Sequence, residues 1–509
     1  MANQQTLNQE ARFTQIPSVN INRSVFPIPF RHKTLFDNGK LIPIDVKEVL
    51  PGDTHHMRIN AMVRLLTPLF PTMDKSWLEC HSFFVPQRIL WDHNNEFWGE
   101  NKTTKWEQET EYEIPQLTTT TGVPYNSIFD YFGIPPMTPN LSWNALPIRA
   151  YQEIYNEWFR DQNLIDPTIV YKGDATQNVD TWNNLIQPYQ VAKLRDYFTS
   201  ALPEPQKGPT VYIPSAGLAE VKTSPTGTAL TWVSTEDVTN GIAPLNLVAD
   251  LQNTLQASIN SLRIAFQTQK YYERDARHGS RLRELIFSHF GVTSSDARLQ
   301  RPEYIGGLKQ EINISTVPQT QSSTGVNTPQ GWTTGMSHTL ASGNDFTYSA
   351  DEHGYIITVA FVRTEQTYSQ GINRLWTRKR KLDFYFPEFA NIGEQSIYNH
   401  EIYAQGNNQD WETFGFKEPW AEYRTQPNRI SGHLRPQSNT PIDFLHYGIK
   451  FANLPILDEN FINEPTEIVD RTIAQTSNIQ QQYLADFLIE NNATRPLPVY
   501  SIPGLIDHH

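Results

Sequence analysis

The sequence predicts a mainly β protein, an antiparallel β-sandwich whose inter-strand loops have grown long and carry a few helices. Three observations lead there. Charged residues make up only 19% of the chain, aromatics reach 12% and Pro supplies 35 of 509 residues, a balance that favours short strands and turn-rich connections over helical bundles. An unbroken run of β-formers at 355–362, Tyr-Ile-Ile-Thr-Val-Ala-Phe-Val, has the composition of a strand buried on both faces. The stretch 34–84 alternates: Leu41, Pro43 and Asp45 interleave with Ile42, Ile44 and Val46, and the extended period resumes at 57–60.

Taken in order, Leu50-Pro51-Gly52-Asp53 reads as a turn between two half-buried strands. A short apolar strand at 82–86 closes at Pro86, which has no ladder donor. Residues 91–144 are polar and rich in Thr, Pro and Trp, with four threonines at 118–121, and read as a long surface connection. A helix is expected over 149–161, where Tyr151, Tyr155 and Phe159 share a face. Another begins at an N-cap Asp250 and carries Leu251, Leu255, Ile259, Leu262 and Phe266, ending or bending near Gly279. A shorter helix at 281–290 stops at Gly291, a natural C′ position. The Pro-punctuated end, 454–509, reads as an extended arm of one elaborated domain spanning 1–509.

Chemistry is sparse. No P-loop, nucleophile elbow, zinc-protease histidine pair or dinucleotide glycine fingerprint occurs, which lowers the expectation of an enzyme. The single Cys80 has no partner for a disulfide and reads as a strand thiol. Adjacent His55 and His56 point to opposite faces of a strand, and the terminal His508 and His509 lack a second shell, so no metal site and no cofactor is expected. No run approaches the roughly 18 apolar residues of a membrane span, and the first dozen residues are too polar for a secretory signal, so a soluble, cytosol-made chain without membrane insertion is expected.

Basic residues number 41 against 54 acidic, a net charge of -13 that weakens unaided attraction to a polyanion. One run departs from that balance: Arg374, Trp376, Arg378, Lys379, Arg380 and Lys381, followed by Asp383-Phe384-Tyr385-Phe386. Cations interleaved with stackable rings suit single-stranded nucleic acid, whereas a strand pairing its cations with acids across a subunit contact is the blander reading. The alternating charges Glu273, Arg274, Asp275 and Arg277, with Arg298, Arg301 and Glu303 further on, read as a salt-bridged face or subunit interface. Other classes remain open: a glycan-binding or glycan-cleaving sandwich using Trp411 and Trp420 as platforms, or a minor receptor-binding spike.

Eight blocks in one order carry a resemblance that covers nearly the whole chain: EVLPGDT (48–54), TPLFPTMD (67–74), FFVPQRILW (83–91), YNEWFRDQNL (155–164), DYFTSALPEPQKG (196–208), ERDARHGSR (273–281), HFGVTSSDARLQRPEYIGG (289–307) and ANIGEQ (390–395). Together they resemble the major capsid proteins of the microviruses, the gokushovirus branch of small icosahedral single-stranded-DNA bacteriophages. The resemblance implies an eight-stranded antiparallel jelly roll with large insertions, and a T=1 virion shell assembled in the bacterial host cytoplasm with five subunits around each vertex. It also implies packaged circular single-stranded DNA, a small basic DNA-binding partner, and pilot and scaffolding proteins. A surface insertion at the threefold axes, concerned with a bacterial cell-surface receptor, corresponds here to 214–248, with Ser215, Thr223, Thr226 and Thr228 as its polar candidates. His278 stands where relatives are expected to carry Gly.

Overall fold

The computed structural model describes residues 22–100, 111–182, 186–212, 220–222, 248–250, 259–320, 330–331, 333–474 and 481–500. Ten strands build its centre: β1 (Ser24–Pro27), β2 (Phe30–Phe36), β3 (Ile42–Val49), β4 (Thr54–Leu65), β5 (Ser76–Pro86), β6 (Glu303–Glu311), β7 (Thr339–Ser342), β8 (Phe346–Ser349), β9 (Gly354–Thr364) and β10 (Tyr483–Arg495). In the larger sheet β10 lies beside β4; β1 and β2 together line the free edge of β10, and β7 and β8 line that of β4. The second sheet runs β6-β5-β9-β3. Every one of these pairings is antiparallel.

The period of two along β4 decides which side chains meet. Met57, Ile59, Ala61, Val63 and Leu65 turn inward, while His56, Arg58 and Arg64 stay exposed. From β10, Tyr483, Ala485, Phe487 and Ile489 join them, and Leu78, Cys80, Phe84, Ile356, Ala360 and Val362 close the core from the opposite sheet. Cys80 is wholly buried, and burial drives its thiol far above the ordinary range, so it packs as a small apolar group. The turn expected at 50–53 joins β3 to β4: Asp53 accepts from the Leu50 N–H at 2.9 Å, and Gly52 has φ +87°, a region that favours glycine. Of the interval 454–509, expected as an extended arm, Tyr483–Arg495 is an inner strand of the larger sheet, between β4 on one side and β1 and β2 on the other.

A second core covers the outer face of the smaller sheet and corrects the reading of 91–144 as a surface connection. Trp91, Leu117, Val123, Ile128 and Phe129 are fully buried there against Phe83, Val85, Ile357 and Phe361. Helix α1 (Leu146–Ile154) runs into a π-helical turn at Tyr155–Phe159, and Tyr151 Oη donates to Leu41 O at 2.6 Å. The threonine tract is a cap: Thr119, Thr120 and Thr121 all hydrogen-bond the Asp180 carboxylate, which they hold well below its ordinary range. A third cluster gathers Phe198, Ile397, Ile402, Phe414 and Phe461.

Helix α2 (Ile259–Arg277) and α3 (Leu282–Phe290) follow. Asp250 is no N-cap: it ends a short strand, Val248–Asp250, paired with Glu220–Lys222, and residues 251–258 lie outside the described residues. Gly291 caps α3 at φ +68°, its N–H bonded to Phe287 O at 2.8 Å, as its position in the sequence requires.

Phe487 is fully buried between the two sheets. Phe487→Ala is expected to cost about 3–5 kcal/mol of stability, read as a lowered urea midpoint, whereas Phe384→Ala, at a half-exposed ring, should leave the midpoint nearly unchanged.

Candidate nucleic-acid interface and subunit contacts

The basic run folds as two 3₁₀ turns, Arg374–Trp376 and Lys381–Asp383, and divides into two kinds of cation. Arg374 is buried, ion-paired with Glu401 at 3.1 Å, within 3.9 Å of Glu422, and bonded to Ser396 O. Burial raises the Glu401 carboxyl despite Arg374 and the Tyr197 hydroxyl at 3.1 Å. Arg378 pairs with Glu422 at 3.0 Å and lies over the Tyr423 ring at 4.3 Å. Removing Arg374 leaves the buried Glu401 carboxylate without its ion pair, and removing Arg378 leaves Glu422 only the longer contact to Arg374. These two arginines are structural within the chain.

Lys379, Arg380 and Lys381 are exposed, as are Trp376 at 69%, Leu382 and Phe384. Asp383 does not neutralise them through a close ion pair; it accepts the backbone N–H groups of Lys379 and Arg380, at 2.8 and 2.7 Å, which hold its carboxyl below the ordinary range. Beside them opens a cavity of about 870 Å³ lined by Trp376, Arg378, Tyr423, Arg424, Arg429 and Arg435. The last three arginines escaped sequence reasoning because they sit 43–54 residues beyond Lys381; the signal was Tyr423-Arg424 and Arg429, cations beside a ring in a Pro-containing stretch. Chemically this face offers stacking surfaces and point charges, what a single-stranded polyanion uses.

The glycan platform does not form. Trp420 is 8% exposed, with its indole N–H committed to Phe389 O at 2.9 Å, while Trp411 alone is exposed.

The second cluster knots the ends of α2 and α3 to α1. Arg301 is buried, stacked over Trp158 at 4.5 Å, and 3.6 and 3.5 Å from Glu157 and Asp296. Arg277 pairs with Glu394, whose carboxyl burial raises. Glu273 accepts from Gln269 one turn earlier at 2.9 Å, and Asp275 meets His289 at 2.7 Å. Glu303 stands in β6, half-buried, and burial raises its carboxyl too. Arg274 and Arg298 are exposed. The expected alternation of charge is present, but for Arg277 and Arg301 the partners are in the same chain. Of the insertion, Ser215, Thr223, Thr226 and Thr228 lie outside the described residues; the Glu220–Lys222 and Val248–Asp250 pairing brings the two ends of 223–247 side by side.

The β-sandwich thus covers its smaller sheet with its own insertion and leaves rings exposed beside its cations. The chain belongs to the phage capsid protein (F protein) family, whose model matches residues 14–505. It is 39% identical to "Capsid protein VP1" of Bdellovibrio phage phiMH2K, 36% to that of Spiroplasma virus 4 and 35% to that of Chlamydia phage 1, each over 97% of both chains. The likeness to gokushovirus capsid proteins read from the eight blocks therefore holds.

Arg301→Ala is expected to lower thermal stability by several degrees, because it removes a buried guanidinium that stacks on Trp158 and bridges Glu157 and Asp296, whereas Arg298→Ala should leave the melting temperature of the isolated subunit unchanged. Differential scanning calorimetry of the two single variants separates these outcomes.

Proposed function

We propose that this chain is the major coat subunit of a T=1 icosahedral virion, five copies to a vertex, that encloses circular single-stranded DNA and does structural rather than enzymatic work. Family membership carries the reading. The surface supports it: Ile264 and Phe266 on α2 and Phe287 and Phe290 on α3 are all more than half exposed, apolar area that an assembling subunit has reason to bury. So does the sheet topology. If β1 with β2, and β7 with β8, each count as one interrupted strand, the order is eight ranks, β1/β2-β10-β4-β7/β8 facing β3-β9-β5-β6, the connectivity of a jelly roll.

In this reading the exposed Lys379, Arg380 and Lys381, with Trp376, face the packaged DNA, and a small basic phage protein supplies the charge that a chain of net -13 lacks. The interval 214–248 is concerned with a bacterial cell-surface receptor, and pilot and scaffolding proteins act with the coat during assembly in the host cytoplasm.

Electron microscopy of the chain co-expressed with its phage partners is expected to show closed particles holding single-stranded DNA; persistent monomers would sink the reading. A triple Lys379→Ala, Arg380→Ala, Lys381→Ala variant is expected to fold and form shells but to bind single-stranded DNA more weakly, with a shallower salt dependence by about two to three charges, as measured by filter binding. Unchanged affinity and slope would assign the run to a protein contact instead.

A further inference from the structure

At the junction of α2 and α3 three donors converge that neither the fold nor the coat role requires. Asp275 lies in the last turn of α2, His278 directly follows its last residue, and His289 comes from the last turn of α3. One carboxylate oxygen and one nitrogen from each ring lie within 4.8 Å of one another. Asp275 Oδ1 is 2.7 Å from His289 Nε2 and 3.5 Å from His278 Nε2. Two ligands of a tetrahedral zinc ion are about 3.3 Å apart at ordinary bond lengths, a value that the two distances from Asp275 bracket. The rings are perpendicular, at 89°, with centroids 5.2 Å apart, which lets their edges face one point.

His278 supplies an independent observation. Its side chain is 16% exposed, yet neither ring nitrogen has a hydrogen-bond partner. A largely covered polar ring left unpaired costs stability unless something outside the protein atoms satisfies it. The surroundings also hold the set in place: Tyr271 stacks on His289 at 4.8 Å, and Gln162 Oε1 accepts from the N–H groups of Ser280 and Arg281, fixing the turn between the helices.

We propose that Asp275, His278 and His289 bind a divalent transition-metal ion of the zinc class. Two imidazoles and one carboxylate match the donor preference of zinc and cobalt over magnesium or calcium, which take oxygen. Three protein ligands leave the fourth tetrahedral position to water or to a donor from another copy. The ion replaces the proton between His289 and Asp275 and staples α3 to α2, fixing the relative placement of the exposed apolar side chains Phe266 and Phe290. Lys207, whose ammonium bonds Ser280 Oγ at 2.7 Å, is the nearby cation whose charge opposes the ion.

The test uses the full chain, stripped with chelator and titrated with Co²⁺ and then Zn²⁺ alone. The expected result is one equivalent bound, with the visible absorption of tetrahedral Co²⁺, its displacement by Zn²⁺, and a rise in melting temperature with either ion. The double variant His278→Gln, His289→Gln and the single Asp275→Asn should each weaken binding at least about tenfold, the scale on which even outer-shell losses act, and lose the thermal shift. Wild-type chain that retains no stoichiometric ion overturns the proposal without recourse to any variant. Equal binding by folded wild type and His278→Gln, His289→Gln overturns it too, by placing the ion on other histidines.

Discussion

Strand β9 must be apolar on both faces, and the architecture follows from that. Ile356, Ala360 and Val362 fill the space between the sheets, while Tyr355, Ile357, Val359 and Phe361 point the other way. Burying one such side chain is worth about 1.5–3 kcal/mol, so four exposed on the outer face would forfeit much of a domain's net stability. The chain therefore spends residues 87–191 on a second layer that covers them, with α1 as its spine. The one polar side chain in the middle of β9 is matched: the Thr358 and Ser82 hydroxyls are 2.8 Å apart across the ladder, which lets a hydroxyl pair sit inside an apolar core.

The long connections are then fastened by buried polar groups at the strand ends. Glu464 accepts from the Thr364 N–H at 2.8 Å, its hydroxyl at 2.6 Å, Asn38 at 3.0 Å and Gln366 at 2.9 Å, gathering the end of β9, the turn before β3 and the segment leading to β10. Burial raises its carboxyl and these donors work against that shift. The Arg374–Glu401 and Arg378–Glu422 pairs play the same part under the third cluster. Buried ion pairs add little net stability compared with apolar packing, but breaking one is costly, so they fix which loop goes where.

How much of this could be read from the sequence depended on whether its signal was local. The two-faced burial of β9, the turn at Gly52 and the stop at Gly291 were legible because composition and a single glycine determine each. The layer over 91–144 was not, since its buried residues, Trp91, Leu117 and Phe129 among them, are spaced by the shape of the sheet beneath and follow no period. Strand β10 hid for a related reason: its outward positions mix Leu484 and Leu488 with Asp486 and Glu490, Pro496 follows it, and its central place comes from partners more than 400 residues earlier in the chain. In the basic run, burial of Arg374 was invisible because Glu401 and Glu422 lie 27 and 48 residues away.

That division of the run bears on how an acidic coat meets nucleic acid. With Arg374 and Arg378 engaged by Glu422 and Glu401, the cations left to face a partner are Lys379, Arg380 and Lys381, with Arg429 beside the cavity. Three or four charges against a net -13 cannot hold a long polyanion by themselves, because each neutralised phosphate contributes only its own share of counterion release. Rings such as Trp376 lose nothing to salt, since stacking needs no charge. On the proposed coat reading, such a face orders single-stranded DNA at chosen spots through stacking and a few phosphate contacts and leaves bulk neutralisation to another molecule. A net charge of -13 on the same reading opposes unspecific adhesion of free subunits to nucleic acid.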